Sequence, residues 1–247
     1  MKKQVVLITG ALAGIGKATA LAFAQQGAKL VISGRKKELG LSLAKELKAL
    51  GSEVEFIQTD VRYEPEVRSL IDQTVKHFGH LDVAVNNAGT EGAMTPIVES
   101  TVDNYQLTFD TNVLGVFLCM KYELQVMMSQ GSGSIINLSS IAGKKGFPTA
   151  GIYCASKHAV EGFTQVAALE AAESNVRVNA VAPGPIMTDM FDRFTQTEER
   201  KTAFTSLVPL KRAGKAAEVA QTILFLSSDA ASYITGQIVG IDGGLMA

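Results

Sequence analysis

The 247-residue sequence has little cysteine, almost no net charge and no long uninterrupted hydrophobic run. Two cysteines are too few for a disulfide framework, which favours a reducing cytosol. A formal net charge of −1 gives no sign of the basic face that nucleic-acid binders usually carry. The apolar run at 114–120 is far shorter than the ~20 residues that span a bilayer, and no signal peptide is expected at the N-terminus. We therefore expect a cytoplasmic protein with neither nucleic acid nor membrane as a partner.

Short apolar runs alternate with longer stretches of helical periodicity, and 47% of the residues are hydrophobic. This alternation predicts a doubly wound α/β fold, with one parallel sheet and helices on both faces. No linker divides the chain, so we predict a single domain over 1–247. The irregular, apolar segment 185–214 is a candidate substrate lid. Strands are predicted at 5–8, 30–32, 54–57, 83–85, 135–138, 176–181 and 237–241, and helices at 16–26, 36–50, 65–77, 102–128, 153–172 and 216–226.

A glycine-rich turn joins the first predicted strand to the first predicted helix. It reads Thr9-Gly10-Ala11-Leu12-Ala13-Gly14-Ile15-Gly16. Glycines at such a place allow a tight turn and let the backbone approach a pyrophosphate at a helix N-terminus. The position between a buried strand and a helix favours nucleotide binding over an ordinary glycine-rich loop.

Five further motifs follow in order along the chain, and together with the turn they resemble the short-chain dehydrogenase/reductase family. The glycine spacing is G-x-x-x-G-x-G rather than G-x-G-x-x-G, and the resemblance covers the whole chain. It implies a nicotinamide cofactor and an oxidoreductase. The other motifs are Asn86-Asn87-Ala88-Gly89, Ser140, Tyr153-Cys154-Ala155-Ser156-Lys157, Pro183-Gly184 and Ile241-Asp242-Gly243-Gly244.

Tyr153 and Lys157 are the candidate acid–base pair. Positions i and i+4 share one face of a helix. A neighbouring ammonium, together with a positively charged nicotinamide, would lower the phenol pKa from ~10 towards ~7 and allow proton exchange with a carbonyl or alcohol oxygen. The alternative is an exposed tyrosine beside a solvated lysine.

Ser140 follows a predicted strand, at the edge where open sheets bind ligands, and its hydroxyl can hold a substrate oxygen. The family's spacing of 13 residues before the tyrosine selects Ser140 over Ser139. The resemblance also implies that Asn112 holds a water next to the lysine, and a bond to its own helix backbone is the alternative.

The end of the second predicted strand favours NADP over NAD. It reads Ser33-Gly34-Arg35, where many NAD enzymes place a carboxylate. Gly34 makes room and the Arg35 guanidinium suits a 2′-phosphate. Arg35 could instead stack on the adenine and leave both cofactors usable, and Ala13 lacks the basic side chain of other NADP-binding members. By resemblance, Asp60 and Val61 line the adenine, Asn87 and Gly89 pass beneath the cofactor, and Ile186 and Thr188 hold the carboxamide. The predicted cofactor site comprises Gly10, Ala13, Gly14, Ile15, Gly16, Gly34, Arg35, Asp60, Val61, Asn87, Ala88, Gly89, Tyr153, Lys157, Pro183, Gly184, Ile186 and Thr188.

These residues predict hydride transfer between NADP(H) and a secondary alcohol or ketone on a small molecule. One alternative is reduction of 3-oxoacyl groups on acyl carrier protein, but the segments 130–133 and 173–175 lack the basic residues that would dock an acidic carrier. A more distant alternative is an NADP-sensing or scaffolding protein without catalysis. His77 and His80 lack a third ligand, so no metal site is expected. The predicted helices 102–128 and 153–172 are apolar on more than one side, which predicts that they pack against a second copy of the chain. The resemblance implies that this pairing forms a dimer and that the terminal motif 241–244 joins two dimers into a homotetramer.

Overall fold

The computed structural model describes residues 3–247, and within them lies the predicted doubly wound sheet. Seven parallel strands are joined in the order β3-β2-β1-β4-β5-β6-β9, and β7 and β8 form a separate parallel pair. The strands are β1 (Val5–Thr9), β2 (Lys29–Gly34), β3 (Val54–Gln58), β4 (Val83–Asn86), β5 (Gly133–Leu138), β6 (Val176–Pro183), β7 (Ile186–Met187), β8 (Gly214–Lys215) and β9 (Ile238–Ile241).

Helices cover both faces of the sheet. They are α1 (Gly14–Gln25), α2 (Lys37–Ala49), α3 (Glu64–Phe78), α4 (Val102–Phe109), α5 (Gly115–Gln130), α6 (Gly151–Ala171), α7 (Asp189–Thr195), α8 (Glu198–Ser206) and α9 (Ala216–Ser227). Across residues 3–247, no helix combines the length and apolar character needed to cross a bilayer.

Alternate residues of the central strands point into two separate cores. On β2, Leu30 and Ile32 pack in the core that also holds apolar residues of α1, α2 and α9. Val31 packs on the opposite face, in the core that holds residues of α3, α5 and α6. Side chains alternate across a strand, so a strand buried on both faces must be apolar at nearly every position. That requirement explains the unbroken apolar run at 5–8 in β1, a strand that is buried throughout.

The predicted long helix 102–128 is interrupted. A turn of π-helix, Asp110–Leu114, separates α4 from α5. Such turns are rare and occur frequently at functional sites. Asn112 lies within this turn and its side chain is directed to residues outside its own helix.

The segment 185–214 is more regular than its sequence predicts. It contains β7, α7, α8 and the first residue of β8, and it lies beside the carboxyl ends of the strands. Thr188 and Thr197 cap the two short helices through their side-chain oxygens. Helices this short give a weak periodic signal, and their capping threonines were the better clue in the sequence.

Candidate active site

The glycine turn between β1 and α1 is braced by the loop after β4. Gly10 and Gly14 have φ angles of +62° and +53°, a region that favours glycine. The Asn87 side-chain amide donates to the carbonyl oxygens of Thr9 (3.1 Å) and Gly10 (2.9 Å). A Cβ at Gly16 would collide with the Gly10 carbonyl oxygen. The turn is therefore held in one shape before any ligand binds.

The N-terminus of α1 suits an anion. Its N-cap residue, Ala13, makes no side-chain capping bond, and the first turn carries no acidic residue. Backbone N–H groups at a helix start bind phosphate through hydrogen bonds and the helix dipole. Thr188 faces this turn, because a Cβ at Gly14 would lie 3.3 Å from its methyl carbon. These features fit the diphosphate of a dinucleotide.

One cleft brings most of the predicted site residues together. It runs from the glycine turn to Ser140, Tyr153 and Lys157. Other predicted residues on its wall are Gly10, Ala13, Gly14, Ile15, Asn87, Ala88, Gly89, Pro183, Gly184, Ile186 and Thr188.

The two adjacent serines after β5 point to different partners. The Ser139 hydroxyl donates to the Glu161 carboxylate at 2.8 Å. The Ser140 hydroxyl accepts from the backbone N–H of Ala142 at 3.1 Å and lies on the cleft wall. Ser140 is also the N-cap of a short 3-10 turn, Ile141–Gly143, which fixes its backbone in an extended conformation.

In the protein by itself, the pKa of Tyr153 lies above its usual value. Burial raises its pKa to about 12, and a hydrogen bond with the Ser140 side chain offsets only part of that rise. The Lys157 ammonium lies 5.7 Å from the centre of the Tyr153 ring and donates to the Leu138 carbonyl oxygen at 2.7 Å. Burial lowers the pKa of Lys157 to about 8. Burial therefore keeps Tyr153 a neutral phenol at neutral pH in the protein by itself.

Asn112 bonds across to neighbouring elements rather than to its own helix. Its amide exchanges two hydrogen bonds of 2.8 Å with the backbone of Thr90 and donates to the Ser156 hydroxyl at 3.0 Å. Ser156 lies on α6 between Tyr153 and Lys157. A Cβ at Gly89 would lie 3.3 Å from the Asn112 oxygen and 3.7 Å from the Lys157 nitrogen, so both groups border the same space.

The adenine end of the predicted site differs from expectation in one respect. The space at Gly34 is filled by Leu12, whose side chain would lie 2.8 Å from a Cβ there, so this glycine accommodates Leu12. Arg35 is exposed at the end of β2. Asp60 pairs with Arg62, which lowers the Asp60 pKa. Val61 is buried against Gly115, so its packing alone accounts for an apolar residue there.

Two groupings were missed in the sequence. Glu91 and Arg193 form an ion pair on the cleft wall, 102 positions apart along the chain. The second is a buried network in which the Asn86 amide donates to Glu123 (2.9 Å) and Asn137 (3.0 Å). A signal for this network existed, because Asn86, Asn137 and Glu123 are polar residues in otherwise apolar stretches. The ion pair gives no comparable local pattern.

Comparisons with known proteins establish the family. A family model described as "Enoyl-(Acyl carrier protein) reductase" matches residues 10–246. The chain is 43% identical to a 3-oxoacyl-[acyl-carrier-protein] reductase of Thermotoga maritima, covering 100% of this chain and 99% of the relative. Levodione reductase has a similar structure, with a TM-score of 0.95, 35% identity and coverage of 98% and 96%. ElxO, described with NADP bound, has a TM-score of 0.93, 37% identity and coverage of 99% and 99%.

The chain belongs to the short-chain dehydrogenase/reductase family. The predicted fold class is confirmed, and so is the prediction of an oxidoreductase that acts on CH–OH or C=O groups with a nicotinamide cofactor.

Proposed function

We propose that this protein reduces a small-molecule ketone to a secondary alcohol with NADPH, and that Tyr153 donates the proton. The observation that carries this proposal is the meeting of Ser140, Tyr153 and Lys157 in one cleft with the glycine turn. When bound, the reduced nicotinamide supplies the hydride.

The phenol of Tyr153 is the proton donor at the carbonyl oxygen. Its pKa of about 12 keeps it protonated at neutral pH, which suits the reductive direction. The Ser140 hydroxyl, beside the phenol, donates a hydrogen bond to the same substrate oxygen and orients it. Negative charge that develops on this oxygen is then balanced by a proton from Tyr153.

Lys157 and Asn112 support the proton transfer. An ammonium beside the phenol stabilises the phenolate as the proton leaves, and a Lys157 pKa of about 8 keeps most of this group charged at neutral pH. Asn112 holds Ser156 and thereby positions the turn of α6 that carries both Tyr153 and Lys157. The proposed water between Asn112 and Lys157 fits the space that both groups border near Gly89.

The cofactor proposal rests on Arg35 and on the absence of a carboxylate at the end of β2. An exposed guanidinium there is free to form a two-bond contact with a 2′-phosphate. We assign the remaining predicted cofactor residues the roles that the resemblance implies, with Asp60 and Val61 beside the adenine and Ile186 and Thr188 beside the carboxamide.

Arg35→Ala should weaken NADPH binding far more than NADH binding. Loss of a charge-assisted contact to the phosphate corresponds to a ~10- to 100-fold rise in Kd. Fluorescence titration with each cofactor measures the two constants, and Lys45→Ala, an exposed position on α2, is the control. Equal weakening of both cofactors would show that Arg35 stacks on the adenine instead.

A substrate panel tests the reaction itself. It contains ring and open-chain ketones, secondary alcohols and a carrier-linked 3-oxoacyl thioester, each with NADPH and NADH. We expect the free ketones with NADPH to give the highest kcat/KM. The thioester is the second candidate, because a relative at 43% identity carries that name. Cofactor binding without turnover of any substrate would support the sensing or scaffolding alternative.

We also propose that the protein is a homotetramer that works in the cytoplasm. The end of the π-helical turn and the outer faces of α5 and α6 expose Leu114, Phe117, Phe163, Val166 and Leu169. The rings of Phe117 and Phe163 lie 5.8 Å apart. A two-fold pairing of these helices would cover the apolar patch, and the terminal segment 241–244 would join two such dimers. Both cysteines are free and buried, as suits a reducing compartment.

Light scattering at micromolar concentration should give about four times the chain mass of 26.2 kDa. Leu169→Glu places a charge in the patch and should lower the mass and, by loosening α6, the activity. A fully active wild-type particle of 26.2 kDa would contradict the assembly.

A further inference from the structure

The outer part of the cleft is built from aromatic rings. Phe204 on α8 lies at the centre of the group, with its ring 6.2 Å from Phe147, 6.0 Å from Phe191 and 5.7 Å from Phe194. All four line the cleft. Such rings favour apolar and ring-shaped ligands, which they contact by edge and face.

An ion pair crosses the same wall. Glu91, in the loop after β4, accepts from the Arg193 guanidinium on α7 through both of its oxygens, at 2.6 and 3.3 Å. The Glu91 side chain is 11% exposed, whereas that of Arg193 is 60% exposed. The carboxylate therefore faces the interior of the cleft while its cation lies towards solvent.

The carboxylate acts on the reacting end of the cleft. Glu91 and Tyr153 line the same cleft, and the negative charge of Glu91 adds to the rise that burial causes in the Tyr153 pKa. A substrate carboxylate placed in the cleft would meet the same field, in a site where apolar walls reduce screening. Arg193 offsets only part of the Glu91 charge, because its side chain is 60% exposed and is therefore screened by solvent more strongly than that of Glu91.

From this geometry we infer that the substrate is an uncharged ketone with an apolar ring. Ketones that carry a carboxylate are excluded from the cleft by the negative charge of Glu91. Glu91 is thus a specificity-determining residue, and Arg193 pairs with it on the cleft wall. This substrate class rests on the proposed ketone reduction. It adds that the ketone carries no negative charge, which the proposed reaction alone does not require.

Two ring ketones that differ in one charge test the inference. They are 4-oxocyclohexanecarboxylate and its methyl ester, assayed with NADPH. The wild-type protein should show at least a ~30-fold higher kcat/KM for the ester. Glu91→Gln should narrow this ratio at least ~10-fold, chiefly through a lower KM for the acid, because the repulsion is gone and Arg193 is released.

Two further variants test whether the charge of Glu91 itself sets the ester-to-acid ratio. Arg193→Gln leaves the Glu91 charge without its partner, so the ester-to-acid ratio should widen, and this result does not depend on whether Glu91→Gln folds. Glu53→Gln removes a carboxylate that pairs with Lys29 before β3, away from the cleft, and the ratio should stay within ~2-fold of wild type.

The outcomes separate this inference from the proposed function. Equal use of acid and ester by the wild-type protein, or a preference for the acid, would overturn the role of Glu91 and leave ketone reduction intact. Reduction of open-chain ketones but of neither ring ketone would overturn the ring class. If no ketone of any kind oxidises NADPH, the proposed function fails first.

Discussion

Tyr153→Phe should reduce kcat by ~10³-fold or more, with a much smaller change in KM and in NADPH affinity. The variant loses only the hydroxyl that is proposed to donate the proton, and general acid catalysis by a positioned group contributes ~10²–10⁴-fold. The ring remains to fill its place between Ser140 and Lys157, so the fold should be retained. Steady-state kinetics, NADPH titration and circular dichroism together separate loss of chemistry from loss of structure.

Tyr122→Phe is the matched control for this variant. Tyr122 lies on α5, and its hydroxyl donates at 2.8 Å to the exposed carboxylate of Glu64, the first residue of α3. Tyr122 does not line the cleft. This control should keep wild-type kinetics. A Tyr153→Phe protein that turns over ketone at a rate close to wild type would show that another group, or water, donates the proton.

The second large effect concerns stability, and it comes from Glu123. Burial raises the pKa of this carboxyl to about 8, whereas it is near 4.5 in the unfolded chain. Between these values the unfolded state is ionised and the folded state holds the proton, so the free energy of unfolding falls as pH rises. The loss starts near pH 4.5, is complete near pH 8, and amounts to on the order of 5 kcal/mol.

Glu123→Gln should remove most of this pH dependence and make the protein more stable than wild type at pH 8. The amide keeps an oxygen to accept from Asn86 and cannot ionise. Urea unfolding at pH 5, 6, 7 and 8 measures the effect, with Glu170→Gln on the exposed face of α6 as the control. Lys157 titrates mainly above this range, because burial lowers its pKa only to about 8. Parallel pH profiles for wild type and Glu123→Gln would show that Glu123 is ionised in the folded protein.

The sheet and most of its helices could be predicted because their signals are local. Strands buried on both faces must be apolar throughout, and the run in β1 is visible without any tertiary information. The π-helical turn at Asn112 gave no such signal, since its sequence continues the periodicity of α4 and α5. Its geometry depends on bonds to Thr90 and Ser156, which are distant in sequence.

The chemistry of the site was only partly predictable for the same reason. The spacing of Tyr153 and Lys157 placed both residues in one cleft, but spacing carries no information on burial. Burial determines the direction of both pKa shifts in the protein by itself, and the lowering of the Tyr153 pKa beside a bound nicotinamide stays a prediction. The pair between Glu91 and Arg193 joins the loop after β4 to α7, and these meet only in the folded chain. The sequence could not show what lies beside Gly34, because the space that this glycine leaves is occupied by Leu12 of the glycine turn.

The most direct test of the central claim follows the hydride itself. NADPH carrying deuterium at either the 4R or the 4S position is incubated with the protein and the ketone that performs best in the panel, and the alcohol is analysed by mass spectrometry and NMR. One of the two labelled cofactors should deliver deuterium to the carbinol carbon and the other should not, because a fixed cleft presents one face of the nicotinamide to the substrate. Oxidation of NADPH without deuterium in the alcohol from either label would contradict hydride transfer in this cleft.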